Sequence, residues 1–321
     1  MEFERGNAQY LEQAIGLGQM HDFVVAPQHC RGARVPWWLK IGAKVALSRL
    51  PLSHSAWSWL NIFRHSYTSD DPLQQVLALE GRIKWYRARI GRLPDTVLEI
   101  GPGENTTCAV VYKALGVRRV ILLDVGDFGT RDVEAYRRVA DAAAQRSLSP
   151  TGLDHADTRE EVLRRCGAEY HIGGLADLRR LPTACTDLVV SLAVVEHIRR
   201  RELSLTFHEM RRVMKDDAIA CHWVDFQDHL GGKLANLRFS PAIWESEFMA
   251  RSGFYTNRVS PSQLIALFED AGLKVEIENR GVWTEPAATR GRIARQLRDE
   301  WTDEDLRVCS MSIIATVRDG A

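Results

Sequence analysis

The spacing of apolar residues changes period partway along the chain. From Asp71 or Pro72 to Ile90, the residues Leu73, Val76, Leu77, Ile83 and Trp85 recur at mixed steps of three and four, which predicts a helix. After Pro94, short apolar runs alternate with helical patterns. Thr96–Ile100 reads as a strand, and Glu104–Leu115 as a helix ended by Gly116, a residue suited to a left-handed stop. Val117–Val125 reads as a second strand, Thr130–Gln145 as a helix, the stretch around Glu160–Arg165 as another, and Glu169–Ile172 as a third strand. Asp187–Leu192 is apolar on both faces, as a strand covered from both sides must be. The helix expected over Arg200–Met214 sets Leu203, Phe207, Met210 and Met214 along one stripe. A fifth strand is expected at Ala218–Phe226, a helix at Ser262–Ala271, and further strands at Lys274–Asn279 and Met311–Val317. Strands separated by helices over this length predict an α/β fold with a doubly wound, mostly parallel sheet and right-handed crossovers.

The first 70 residues follow another rule. No acidic residue occurs from Phe23 to Ser69, while Arg31, Arg34, Lys40, Lys44, Arg49 and Arg64 are basic and Trp37, Trp38, Trp57 and Trp59 fall among them. Pro36 and Pro51 bracket a helix. Residues 1–70 therefore read as an N-terminal helical extension before a domain over 71–321. The basic segment 31–64 has three readings: a lid over an acceptor, a peripheral contact with an anionic membrane surface, or the contact of a homodimer.

Bulk properties narrow the class. Lys and Arg number 42 and Asp and Glu 42, so the net charge is formally zero and nothing favours a non-specific grip on nucleic acid. The six cysteines form no C-x-x-C pair, a pattern of reduced thiols. The acidic, polar N-terminus does not resemble a secretory signal. No uncharged apolar run approaches the ~18–20 residues that span a bilayer. These features predict a cytoplasmic protein, peripheral at the inner membrane if 31–64 binds there.

The sharpest chemical signal is Glu99-Ile100-Gly101-Pro102-Gly103. A strand delivers the chain to a turn where two residues lack side chains, so backbone can approach a ligand closely. Asp124, at the end of the next strand, can accept both hydroxyls of a ribose. A dinucleotide fingerprint would need a third glycine where Thr106 stands. Downstream come Ala176–Pro182, then Thr186-Asp187-Leu188-Val189-Val190-Ser191 running into Val194-Val195-Glu196-His197. Together these resemble the E-x-G-x-G, D-x-V-x-S and V-x-E-H motifs of class I S-adenosylmethionine-dependent methyltransferases of the methyltransferase-11 type, over roughly Val97–Val317. That resemblance implies a Rossmann-like, seven-stranded sheet whose last two strands pair as an antiparallel edge, with S-adenosyl-L-methionine as cofactor. It implies cofactor contacts from Glu99, Gly101, Gly103, Asp124, Asp177, Leu178 and Ser191. Asp177 would accept from the adenine amine, while Leu178 packs on the ring and offers its N–H.

Methyl transfer is an in-line displacement, and an oxygen acceptor of high pKa needs a general base. His197 follows the fourth strand. His222, Asp225, Asp228 and His229 cluster after the fifth. The candidate catalytic residues are His197, His229 and Asp225. A second reading of His197 is that it orients its loop, and the His/Asp cluster reads either as a metal site or as a hydrogen-bonded polar loop; no metal is assigned. An insertion at about 227–260 contributes Tyr255, Asn257 and Arg258, expected with His222 and Asp228 to bind substrate, although Arg258 could instead pair with an acid. The His-x-x-Asp-x-x-Asp-His and Asn-Arg runs resemble methyltransferases of bacterial polysaccharide and natural-product clusters. The expected function is O-methylation of a sugar or glycan-related acceptor, with another small natural product as the alternative and a non-catalytic cofactor-binding scaffold as the rival from another class.

Overall fold

The computed structural model describes residues 21–24, 71–148, 152–153, 155–230 and 233–318. The basic, tryptophan-rich segment 31–64 lies outside them. Helix α1 (Pro72–Ile90) starts where Asp71 accepts a hydrogen bond from the Leu73 N–H at 2.9 Å, with proline in the first turn, and ends at left-handed Gly91. Then follow β2 (Thr96–Ile100), α2 (Cys108–Ala114), β3 (Arg119–Leu123), α3 (Val133–Gln145), α4 (Arg159–Arg165), β4 (Ala168–His171), α5 (Leu175–Leu178) and β5 (Thr186–Leu192). The second half holds α6 (Arg200–Val213), β6 (Met214–Asp225), α7 (Pro241–Trp244), α8 (Glu247–Ala250), α9 (Pro261–Asp270), β7 (Leu273–Val282) and β8 (Val308–Val317). The helix expected from Glu104 begins only at Cys108, because the preceding residues are spent on the turn that leaves β2.

The sheet runs β4-β3-β2-β5-β6-β8-β7 and is parallel except for β8, which is antiparallel to both neighbours. An eighth strand, β1 (His21–Val24), pairs parallel to β7 and takes the outer position. β7 and β8 pair antiparallel, as expected, with β1 outside them as a strand from the first 70 residues.

Alternation along each strand sends side chains to two cores. Val97, Val120, Leu122, Leu188 and Val190 pack with Val76, Ile83, Tyr86, Tyr112 and Tyr136 from α1, α2 and α3. Leu98, Ile121 and Val189 pack on the opposite face with Leu203, Phe207, Met210, Leu264 and Phe268 from α6 and α9. Asp187, fully buried at the amino end of β5, accepts from Lys215, Arg92 and the Thr96 N–H and so ties β5 to β2. Strand order reverses between β2 and β5, so a crevice opens above their carboxyl ends, the place where such sheets hold ligands.

Candidate active site

The loop leaving β2 forms one wall of that crevice. Gly101 has φ +67°, and a Cβ there would lie 2.5 Å from the Val194 side chain, so only glycine fits without displacement. Gly103, at φ +56°, has no atom within 4 Å of its would-be Cβ; open space lies where a ligand can approach. Asp124 follows β3 and accepts from the Gly103 N–H at 3.0 Å and the Val125 N–H at 2.7 Å. Burial raises its pKa, and these two donors oppose the rise. The carboxylate is thereby fixed beside the glycine loop with lone pairs left for ribose hydroxyls.

Glu99 points to the side of β2 facing α2. Burial pushes its carboxyl upward against the pull of Arg82, and its Oε2 has no hydrogen-bond partner among the described residues. The carboxyl lies among Arg82, Cys108 and Tyr112 on that side of the strand.

The two residues expected at adenine, Asp177 and Leu178, make local contacts. The Asp177 carboxylate accepts from the Gly173 N–H at 2.7 Å and from Arg180 at 2.6 Å, so it caps its own turn. Leu178 is 1% exposed in the core, and its N–H is spent on the Gly174 carbonyl. Exposed apolar side chains next to Asp124 are Val125, 79% exposed, and Ile172, 48% exposed, which follow the paired ends of β3 and β4. Sequence reading missed both. The signal was an apolar residue directly after a strand-end carboxylate.

Ser191 and His222 also depart from expectation. They are register partners on β5 and β6, joined by an Oγ···Nδ1 hydrogen bond of 2.7 Å, and both are buried, with His222 beside Phe268. Both line a small cavity together with Arg82 and Trp85 of α1. Burial drives the His222 pKa down to about 3. The unfolded chain protonates this ring once pH drops below about 6.5, the folded chain only near 3, so stability is lost as pH falls through that window. Thermal melts between about pH 7 and about pH 4.5 should show the parent losing Tm faster than His222→Gln. Equal slopes would mean the ring is not held neutral.

The remaining candidates gather around the turn after β5. His197 is solvent-accessible, and its Nδ1 lies 2.9 Å from the Tyr255 carbonyl, which fixes that nitrogen as the donor. Protein packed around the ring lowers its pKa, and the bond to the carbonyl opposes this. His229 approaches from the other side, Nε2 to Nε2 at 3.5 Å. Beneath them Glu196 and Asp225 are both buried; Glu196 accepts from the Asp225 N–H at 3.3 Å and is raised well above the usual carboxylate range by burial and then by Asp225. Asp225, at 5% exposure, also accepts from the Gln227 N–H and is removed from direct contact with an acceptor.

Asp228, Tyr255, Asn257 and Arg258 are all buried and bonded within the protein. Asp228 accepts from the Leu230, Ala235 and Asn236 N–H groups and shapes its own loop. The Tyr255 hydroxyl donates to Glu245 at 2.7 Å. Asn257 donates to the Val195 and Ile198 carbonyls at 2.7 and 3.1 Å, clamping the turn that carries His197. Arg258 pairs with Glu245 at 3.0 Å and donates to the Phe239 carbonyl at 2.7 Å. These residues hold the His197 turn and the insertion in place. The described residues bring together no group of three or more His, Cys, Asp or Glu side chains placed to hold a metal ion. None of the described helices is long and apolar enough to cross a membrane.

Residues 98–221 match the family model described as a methyltransferase domain. The chain is similar in structure to a SAM-dependent methyltransferase from Archaeoglobus fulgidus, at 15% identity and TM-score 0.42, covering 81% of this chain and 98% of that one. It is also similar to an arsenic(III) S-adenosylmethionine methyltransferase from Chlamydomonas reinhardtii, at 18% identity and TM-score 0.39, covering 70% and 64%. No curated protein matches the sequence. The matched stretch is similar to a methyltransferase domain, which implies S-adenosylmethionine as cofactor, and the open glycine loop and Asp124 fit that molecule.

Proposed function

We propose that this chain is an O-methyltransferase acting on a sugar or glycan-related hydroxyl, with His197 as the general base. The observation that carries the reading is the fixed tautomer of His197. With Nδ1 donating to the Tyr255 carbonyl, the neutral ring keeps its lone pair on Nε2, on an accessible turn just past the carboxyl end of β5. The preceding Val194 packs on Gly101, so the turn and the cofactor loop are neighbours.

When bound, S-adenosylmethionine supplies an electrophilic methyl group. Asp124 and the glycine loop set its position, and His197 Nε2 receives the proton of the acceptor hydroxyl. A base lowered in pKa by its surroundings stays unprotonated at neutral pH, as this role requires. The glycan class rests on the resemblance of the His222–His229 and Asn257–Ser262 runs, and another small natural product is the alternative acceptor.

The test is incubation with methyl-labelled S-adenosylmethionine and panels of sugars, glycans and small hydroxylated natural products, read by NMR. Label appearing as an O-methyl ether on a sugar supports the proposal. Label on nitrogen or carbon contradicts it, and cofactor binding without transfer to any acceptor favours a scaffold.

A further inference from the structure

A partly open cavity of about 50 Å³ lies between α1 and the sheet. Leu192, Trp223 and Ser312 line it from β5, β6 and β8 in one row, since Leu192 pairs with Trp223 and Trp223 with Ser312. Arg82 and Trp85 line it from α1, and Glu278 from β7. Leu192 is the last residue of β5, so the cavity adjoins the turn that carries His197.

Helix α1 joins this space to the cofactor loop. Near its start, Gln75 donates to the Thr107 hydroxyl at 2.9 Å and also bonds Asn105, both on the turn leaving β2. About two turns later, Arg82 lies near Glu99 and Tyr112 and lines the cavity as well. Trp85 is steadied by Arg89, whose guanidinium carbon lies 5.5 Å from the ring centroid.

Glu278 reaches the cavity through an irregularity in its strand. Ile277 pairs with Ile313 and Asn279 with Ser312, so Glu278 is the extra residue of a bulge. Bulges re-aim side chains and recur beside active sites. No hydrogen bond among the described residues holds the Glu278 carboxyl, and burial, with Glu276 nearby, pushes its pKa up. One cation and one carboxyl facing the same space favour a neutral ligand rich in donors and acceptors over a phosphate or an ammonium. The two tryptophans add apolar contact for the body of such a ligand. The space holds roughly four water-sized groups, enough for one edge of a sugar ring with the rest in the opening.

We propose that this cavity is an acceptor subsite that takes a hydroxyl-bearing edge of a sugar ring, with Arg82 and Glu278 bonding its hydroxyls and Trp85 and Trp223 against its carbons. The inference deepens the O-methylation reading and rests on it for the acceptor's part in the reaction.

The experiment is saturation-transfer NMR on the full chain with S-adenosylhomocysteine present, using glucose, galactose, mannose and rhamnose as probes. The parent, Glu278→Gln and Trp85→Ala are compared, and S-adenosylhomocysteine affinity is measured for each. At least one sugar should receive saturation from the parent. Its binding should weaken by roughly 10-fold or more in Glu278→Gln, the scale of losing hydrogen bonds to a charged group. It should weaken at least as far in Trp85→Ala, with S-adenosylhomocysteine affinity unchanged in both. No saturation of any sugar by the parent, or equal sugar binding by all three proteins, would overturn the subsite, even where a sugar is O-methylated. Sugar binding that depends on Glu278 in a protein that methylates nitrogen or carbon would uphold the subsite and refute only the O-methylation reading.

Discussion

Replacing His197 with alanine is expected to lower kcat by ~10²–10⁴-fold, the range for removing a general base, with affinity for S-adenosylhomocysteine near that of the parent. The separation of effects follows from the structure. The cofactor loop is shaped by Gly101, Gly103 and Asp124, none of which hydrogen-bonds the imidazole, while the His197 turn is held by backbone and Asn257 contacts that alanine leaves in place. Single-turnover kinetics with the identified acceptor measure the first effect and calorimetry the second. A variant with undiminished turnover would remove His197 as the base. A variant with equally reduced cofactor binding would show that the ring supports the loop and not the proton transfer.

Asp124→Ala should weaken cofactor binding by roughly 10- to 100-fold, as expected for losing hydrogen bonds to a charged acceptor at about 1.5–3 kcal/mol. The carboxylate has two jobs. It accepts from the Gly103 and Val125 N–H groups, and its remaining lone pairs are proposed to accept from the ribose hydroxyls. Asp124→Asn keeps one acceptor oxygen for the loop, so it should lose less affinity than alanine. Calorimetric titration of both variants, with Tm recorded alongside, checks the order. Unchanged affinity in Asp124→Ala would exclude the ribose role.

The cofactor loop was legible because its requirement is local. A turn with two left-handed residues at the end of a buried strand demands glycine, and Gly101 and Gly103 supply it. The strands were legible for a similar reason: a sheet covered on both faces writes continuous apolar runs such as Leu188-Val189-Val190. The acceptor residues were not, because a buried and an exposed polar side chain have the same letter. Ser191 and His222 consume each other through strand register, 31 residues apart in sequence, and Arg258 is neutralised by Glu245 across the insertion. Leu178 was misplaced because a four-residue helix turns its N–H inward to the Gly174 carbonyl, a detail set by the turn and not by the motif. Strand β1 is four residues long, too short for any periodicity, and its pairing with β7 spans most of the chain.

The central claim is that the crevice between β2, β3 and β5 holds S-adenosylmethionine. Calorimetric titration of the purified chain with S-adenosylmethionine, S-adenosylhomocysteine and NAD tests it most directly. The account predicts saturable one-site binding of both sulfur nucleosides and none of NAD. Binding of NAD in their place, or of none of the three, would contradict it.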